Sequence, residues 1–437
     1  MADRVRHQAG RLREVIGKGS VAVLDEGLFA GSNFLIGILL ARWLGRMDYG
    51  AFTTAYSLFL LLGTAFYSTL CVQPVLVFGS RDHATRFGRY FGCVLGMHVG
   101  LTAFLSLVLA AIAAFCWYDG SLLLAKAFGT LAIVAPCITL LWLSRGAHYA
   151  LLQPHWPLCA GALYLVLIVL GSYALFRSRL LSPQSSLLVM GAASLASSLP
   201  LIGLIGPQRW VKGTSPTPST ILAQHWQYGR WSALTSSLRW STNYAYYLLL
   251  PLYLGLEASA VLRAHMNLIL PILHVNSALY GILIPQFTRT FARQGRLELW
   301  RFVRMVLVLY AVGALIFWAA LTVFAEQIFA LLYSGQYQVD IRLFALLGLL
   351  PLSGGIAGVL ESALLAAGRP KLAPIGYAVS ALMTLTVGWG LLMRHGVVGA
   401  GMGMLTASVA TAATMVWLFI RWNKVHGLAT PPLVRTE

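Results

Sequence analysis

Charge is what this sequence has least of. Only 10% of its 437 residues are Asp, Glu, Lys or Arg, against the roughly 25% usual for soluble domains, while 58% are hydrophobic. So few charges cannot cover a water-facing surface, which excludes a string of soluble domains. Acid is scarcer still, with 13 Asp and Glu against 31 Lys and Arg and a net charge of +18. A nucleic-acid partner would need those bases gathered on one foldable surface. They are scattered between apolar runs instead, so no nucleic acid is expected. The five cysteines (Cys71, Cys93, Cys116, Cys137, Cys159) stand singly in or beside apolar runs, with no C-x-x-C and no histidine at ligand spacing. They read as small core residues, and no metal or other cofactor is expected. A G-x-x-x-x-G-K-[ST] loop is also missing, which argues against ATP hydrolysis as the driving reaction.

What is present is a series of apolar runs, each of the roughly 20 residues needed to cross a hydrocarbon core about 30 Å thick. Hydropathy windows place spans near 21–42, 52–78, 87–115, 121–143, 157–176, 186–206, 232–256, 258–287, 302–324, 340–366, 372–393 and 397–420. The expected fold is therefore an all-α integral membrane protein of about twelve transmembrane helices. Arg4, Arg6, Arg11, Arg13 and Lys18 precede the first run, which is too long and lacks the cleavage site of a removable signal. Residues 1–20 are read as a basic cytoplasmic segment lying against anionic headgroups. With that end inside, 22 of the 31 basic residues fall on inner segments and 8 on outer ones. The positive-inside rule then puts both termini in the cytoplasm.

The longest polar connection, 207–230, contains Lys212-Gly213-Thr214-Ser215-Pro216-Thr217-Pro218 and reads as a cytoplasmic linker. It separates an N-lobe of six spans, 21–206, from a C-lobe of six, 231–420, with a tail at 421–437. An internal repeat supports the division. Sliding the chain by 210 residues sets Asn33 on Asn243, Leu39-Leu40 on Leu249-Leu250 and Leu44-Gly45 on Leu254-Gly255. An even number of spans per copy inserts both copies the same way up, as a parallel pseudo-twofold repeat.

The stretch Leu39-Leu40-Ala41-Arg42-Trp43-Leu44-Gly45-Arg46-Met47-Asp48-Tyr49-Gly50-Ala51-Phe52 resembles the first-to-second-span signature of the polysaccharide transporter, or oligosaccharide flippase, branch of the multidrug/oligosaccharidyl-lipid/polysaccharide (MOP) flippase superfamily. Ala366-Ala367-Gly368-Arg369-Pro370-Lys371, followed by Gly396-Val397-Val398-Gly399-Ala400-Gly401, is similar to that family's loop between spans ten and eleven and its entry to span twelve. The resemblance implies two six-helix lobes around a cavity that opens alternately inward and outward, with spans 1 and 7 facing it. It further implies a substrate such as an oligosaccharide on a polyprenyl diphosphate, flipped across a bacterial inner membrane.

Ionisable residues cost at least about 2.5 kcal/mol at a helix centre in the bilayer, so each one inside a span needs a partner or a wet cavity. On span 7, Ser232, Ser236, Arg239, Asn243 and Tyr246 recur along one helical face, as lining for a cavity would. Arg239 there either binds the diphosphate, whose oxygens a guanidinium matches bidentately, or pairs with a carboxylate merely to fix two helices. On span 1, Asp25 and Glu26 fall at the level of Arg239 by the repeat, which predicts an ion pair between spans 1 and 7 that opens when a diphosphate or proton competes. Alternatively they cap the helix start. Asn33, matched to Asn243, is either interhelical glue or a ligand for sugar hydroxyls. Secondary candidates are Arg263, Asn267 and His274 on span 8, Glu361 in the glycine-rich span 10, and His98 in span 3. The inner clusters Arg81, Arg86, Arg89 and Arg289, Arg293, Arg296 suit capture of anionic lipid as well as topology.

Three functions compete. The first is a flippase for lipid-linked oligosaccharide in O-antigen, capsule or exopolysaccharide synthesis, working beside glycosyltransferases and a polymerase and drawing energy from H+, Na+ or substrate consumption. The second is a cation-coupled multidrug and toxin antiporter with Asp25 as coupling carboxylate. Scarce intramembrane acid argues against it. The third, a membrane polysaccharide polymerase or ligase, lacks the large outer loop and the acid, base and nucleophile constellation it would need, so no enzyme is expected.

Overall fold

Inside hydrocarbon a backbone must satisfy its own N–H and C=O groups, and long Leu-, Ala- and Val-rich runs do so as helices. The computed structural model describes residues 2–83, 86–205 and 217–425, with side chains from Ser20 to Lys424 other than those of His274, Ser277, Ala278 and Gly281. The side chains of the basic N-terminal segment, the 207–216 part of the expected linker and most of the tail lie outside the described residues. Among the described residues there is no strand. Residues 1–237 and 238–437 form two units.

The first unit holds α1 (Ala2–Trp43), α2 (Arg46–Gly79), α3 (Phe87–Tyr118), α4 (Leu122–Ala150), α5 (His155–Arg177) and α6 (Pro183–Leu204). From Leu61 to Val72 and again from Val75 to Gly79, α2 is wound as a π-helix, a wider coil that recurs at functional positions. Its core sets Tyr67, Cys71 and Val75 of α2 against Tyr90, Phe91 and Val94 of α3 and Leu143 and Ala147 of α4. Outward, α3 presents Phe104, Leu107 and Phe115, which suit lipid rather than water.

The boundary between the units falls within α7 (Pro218–Tyr244), which is followed by α8 (Tyr246–Leu254) and α9 (Leu256–Val323). The 218–230 part of the expected linker is thus helical. Pro218 occupies the first helical position, where its missing N–H is no loss, so this proline opens a helix that the sequence reading took it to exclude. In α8, Pro251 cannot donate to the Tyr247 carbonyl, and Ser259 Oγ does so instead at 3.2 Å.

The second unit continues with α10 (Ala325–Tyr333), α11 (Ile341–Gly348), α12 (Leu350–Ala366), α13 (Ala373–Met383) and α14 (Trp389–Val425). Asp340 caps α11, accepting from the N–H groups of Arg342 and Leu343 at 3.0 and 3.1 Å. Gly295 (φ 78°) in α9 and Gly396 (φ 58°) in α14 leave the helical region, and each divides its helix into two legs. The second break falls in the gap between the expected spans 372–393 and 397–420. Among the described residues ten stretches are long and apolar enough to cross a membrane. Dividing the last stretch at Gly396 and adding the more polar α7 and α8 raises them to about twelve passes, so the chain is a multi-pass membrane protein. The second unit's core joins Phe287, Leu299 and Val303 of α9 to Val359, Leu360 and Ala363 of α12 and Met415 and Phe419 of α14.

Candidate functional site

Asp25 and Arg239, the pair expected from the sequence, each have a partner inside their own unit. In the first unit Asp25, wholly buried, accepts from Arg145 Nη2 at 2.8 Å and from the Tyr149 hydroxyl, both onto Oδ2. Arg145 and Tyr149 are four residues apart on α4 and therefore share a face. The Arg145 guanidinium also stacks over the Phe29 ring, 3.9 Å from its centroid. Oδ1 of Asp25 accepts no protein hydrogen bond and sits beside Gly161, where an added Cβ would lie 3.1 Å from it. Glu26 is exposed, with its Oε2 4.0 Å from Arg145 Nη2. Asn33 is half-buried and donates to the Phe29 carbonyl of its own helix at 3.0 Å. His98 is buried, its Nδ1 2.7 Å from the Tyr67 hydroxyl of the π-helical stretch.

In the second unit a cavity of about 300 Å³ opens among α7, α8, α9, α12, α13 and α14. Arg239, Asn243 and Arg263 line it, joined by Tyr244, Tyr247, Tyr280 and Tyr377 and by Asn276, Ser408 and Thr411. Neither Asp nor Glu is in that lining. Glu361 holds Arg239 Nη2 at 3.1 Å and takes a second hydrogen bond, 2.6 Å, from the Tyr377 hydroxyl. The Tyr377 ring lies under the guanidinium, 4.5 Å away, so one residue both steadies the carboxylate and supports the cation. Half of the Arg239 side-chain surface stays open, at 52% exposure, against 16% for Glu361. Arg263 packs over Tyr247 at 5.8 Å, and Asn276 accepts from the Tyr310 hydroxyl at 2.9 Å.

The polar stripe of span 7 therefore divides. Arg239 and Asn243 line the cavity, with Asn243 donating to the Arg239 carbonyl at 3.0 Å. Ser232 donates to Gln73 at 2.7 Å in the first unit, and Ser236 is half-buried and outside the lining. Tyr246 is wholly buried away from the cavity, its hydroxyl wedged where Gly388 and Gly403 lack a Cβ. Asn267 is buried and outside the lining, and the His274 side chain lies outside the described residues. Sequence reasoning missed Arg145, Tyr149, Tyr280 and Tyr377. For the first two, the i, i+4 spacing of Arg and Tyr at the end of a span was the available signal.

The sequence matches no protein-family profile and no curated protein. Solved structures do resemble it. An inward-facing multidrug resistance MATE family transporter of the MOP superfamily aligns over 94% of this chain and 96% of its own, with TM-score 0.71 and 15% identity. A MOP superfamily transporter from Pyrococcus furiosus, whose reverse polarity of binding pocket is said to suggest a different function, aligns over 93% and 96%, with TM-score 0.63 and 15% identity. A MATE transporter from Vibrio cholerae aligns over 95% and 99%, with TM-score 0.62 and 15% identity. The chain has the fold of MATE transporters of the MOP superfamily.

Proposed function

We propose that this protein is a MOP-superfamily transporter that moves an oligosaccharide linked to polyprenyl diphosphate across the bacterial inner membrane, for cell-surface polysaccharide assembly. The observation that carries the reading is the sign of the second unit's cavity: two arginines line it and no carboxylate does. A cationic drug would meet repulsion there, whereas a diphosphate meets a guanidinium that matches its oxygens and never loses its charge. Tyrosine faces and the Asn243 and Asn276 amides suit a sugar ring and its hydroxyls.

Glu361 takes the gating part that the sequence suggests for Asp25 and Glu26. It pairs with Arg239 at 3.1 Å from outside the lining. Phosphate oxygens compete for the same guanidinium and release the carboxylate, and this differential contact biases the balance between two states of the transporter. A proton then has a site on the freed Glu361, which is one route for H+ coupling. Consumption of the flipped product by glycosyltransferases or a polymerase is another source of drive.

The second reading, a cation-coupled multidrug antiporter, is favoured by the likeness in fold to MATE transporters, a multidrug resistance transporter among them, and by the buried Asp25. Against it, Arg145 already supplies Asp25 with a cation at 2.8 Å. Reconstitution into vesicles separates the readings. A fluorescent polyprenyl diphosphate sugar should reach the opposite leaflet with the wild type and Arg239→Lys faster than with Arg239→Ala. Losing a charge-assisted hydrogen bond of about 1.5–3 kcal/mol should weaken apparent affinity by roughly ten- to a hundredfold. Equal rates in all three proteins, with a cationic dye exported under an ion gradient, would overturn the flippase.

A further inference from the structure

A second concavity lies in the first unit, with none of Asp25, Arg145 or Tyr149 in its lining. It is a groove of about 530 Å³ between α3 and the first turns of α7. Cys93, Gly96, Met97, Gly100 and Leu101 form one wall, and Pro218, Ser219 and Leu222 the other. Apart from the Ser219 hydroxyl, the side chains of that lining are carbon and sulfur. Gly96 and Gly100 are exposed, and a Cβ added to either would meet nothing within 4 Å, so the floor is open rather than filled by a neighbouring helix.

The wall on α3 has a direction. Arg89, Cys93, Gly96, Met97 and Gly100 recur at helical spacing, so the basic residue shares the groove's face, one turn before it begins. From Arg89 to Leu101 the helix rises roughly 18 Å. A cation at one end and an apolar trough behind it match an amphiphile with an anionic head and a long tail. In a bilayer an apolar trough gains nothing from hydrophobicity alone, because lipid tails are equally apolar, so its selectivity must come from shape. Here Gly96 and Gly100 leave two notches about 6 Å apart along the axis, room for the methyl branches that an isoprenoid carries at regular intervals. Straight acyl chains have no branch to place in them.

We propose that this groove holds the isoprenoid chain of a lipid diphosphate at an entry step, with Arg89 at its head end before the diphosphate is bound by Arg239. The proposal rests on the lipid-substrate reading above and adds a tail site to it. A polyprenyl phosphate without sugar, bearing a diazirine near the phosphate-distal end of the groove-sized segment, tests it on the full-length protein in lipid nanodiscs. Label should concentrate on peptides covering residues 93–101 and 218–222. Gly100→Leu, which fills the trough, should lower that label about tenfold, a loss equivalent to one decade of affinity, at an unchanged melting midpoint. Should that variant fail to fold, Leu222→Trp blocks the groove from the other wall. Arg89→Gln should weaken labelling by the phosphate probe but not by the matching uncharged polyprenol. Even labelling of all lipid-facing helices, or equal labelling of the groove by a diacyl phosphatidylglycerol probe, would overturn the tail site. Because the readout is labelling and the probe carries no sugar, an unlabelled groove in a protein that still flips the sugar substrate sinks this proposal alone.

Discussion

Arg239 is held by a carboxylate on one side while half of its surface faces open space, and that arrangement sets the sign of two substitutions. An ion pair this open is worth roughly 0.2–1 kcal/mol. Glu361→Gln removes the competitor without removing the guanidinium, so the apparent affinity for a polyprenyl diphosphate should rise by about two- to fivefold, read as a lower KM in the vesicle assay. A higher KM would mean that Glu361 binds the substrate itself. The Asp25 and Arg145 pair is different because both partners are buried. Removing one leaves an uncompensated charge, and Arg145→Gln should destabilise the first unit by about 3–5 kcal/mol in detergent unfolding. Asp25→Asn combined with Arg145→Gln should recover most of that loss, since each change alone strands the other's charge. A double variant as unstable as the single would show that the damage comes from packing.

At the scale of the element, α7 is where sequence and structure part most instructively. Its beginning was hidden because Pro216, Gly213 and Pro218 read as breakers, and only tertiary contact distinguishes a proline that ends a helix from one that starts it. Those contacts are specific. His225 lies 2.8 Å from the Tyr90 hydroxyl and 2.9 Å from the Leu70 carbonyl, and Gly229 meets the α2 backbone so closely that a Cβ would sit 2.6 Å from the Thr69 carbonyl oxygen. Gly229→Ala should therefore leave helix content unchanged, since alanine favours helix, yet lower stability by about 1–3 kcal/mol through overpacking. Circular dichroism and a melting midpoint on one sample decide it, and an unchanged midpoint would show that α7 does not dock there. Span positions were legible because length and hydropathy are local properties. Partner choice was not. Apolar residues surround these helices on nearly every side, so periodicity gives little sign of which face meets which neighbour, and the pairings Asp25 with Arg145 and Arg239 with Glu361 stayed out of reach.

For the whole molecule the decisive quantity is the number of passes, because it fixes where both termini and every basic cluster lie. The stretch Pro370–Lys424 is the test case: 55 residues that read as one helix but for the backbone at Gly396. At 1.5 Å per residue each leg of it is roughly 40 Å long, enough for one crossing of a core about 30 Å thick, whereas an undivided helix would be more than twice the thickness of the membrane. A φ of 58° at Gly396 reverses the chain at little cost only because glycine has no Cβ. The positive-inside expectation then puts Lys371 on the inner face with Arg369 and Arg394 on the outer one. The native cysteines first need replacing, above all the exposed Cys159, so that single reporters can be read. In that background Lys371→Cys should react with a membrane-impermeant maleimide only when the inner face is accessible, and Arg394→Cys in intact cells. Labelling of both from the same side would mean that the chain does not reverse at Gly396, and the twelve-pass count and the cytoplasmic C-terminus would fall together.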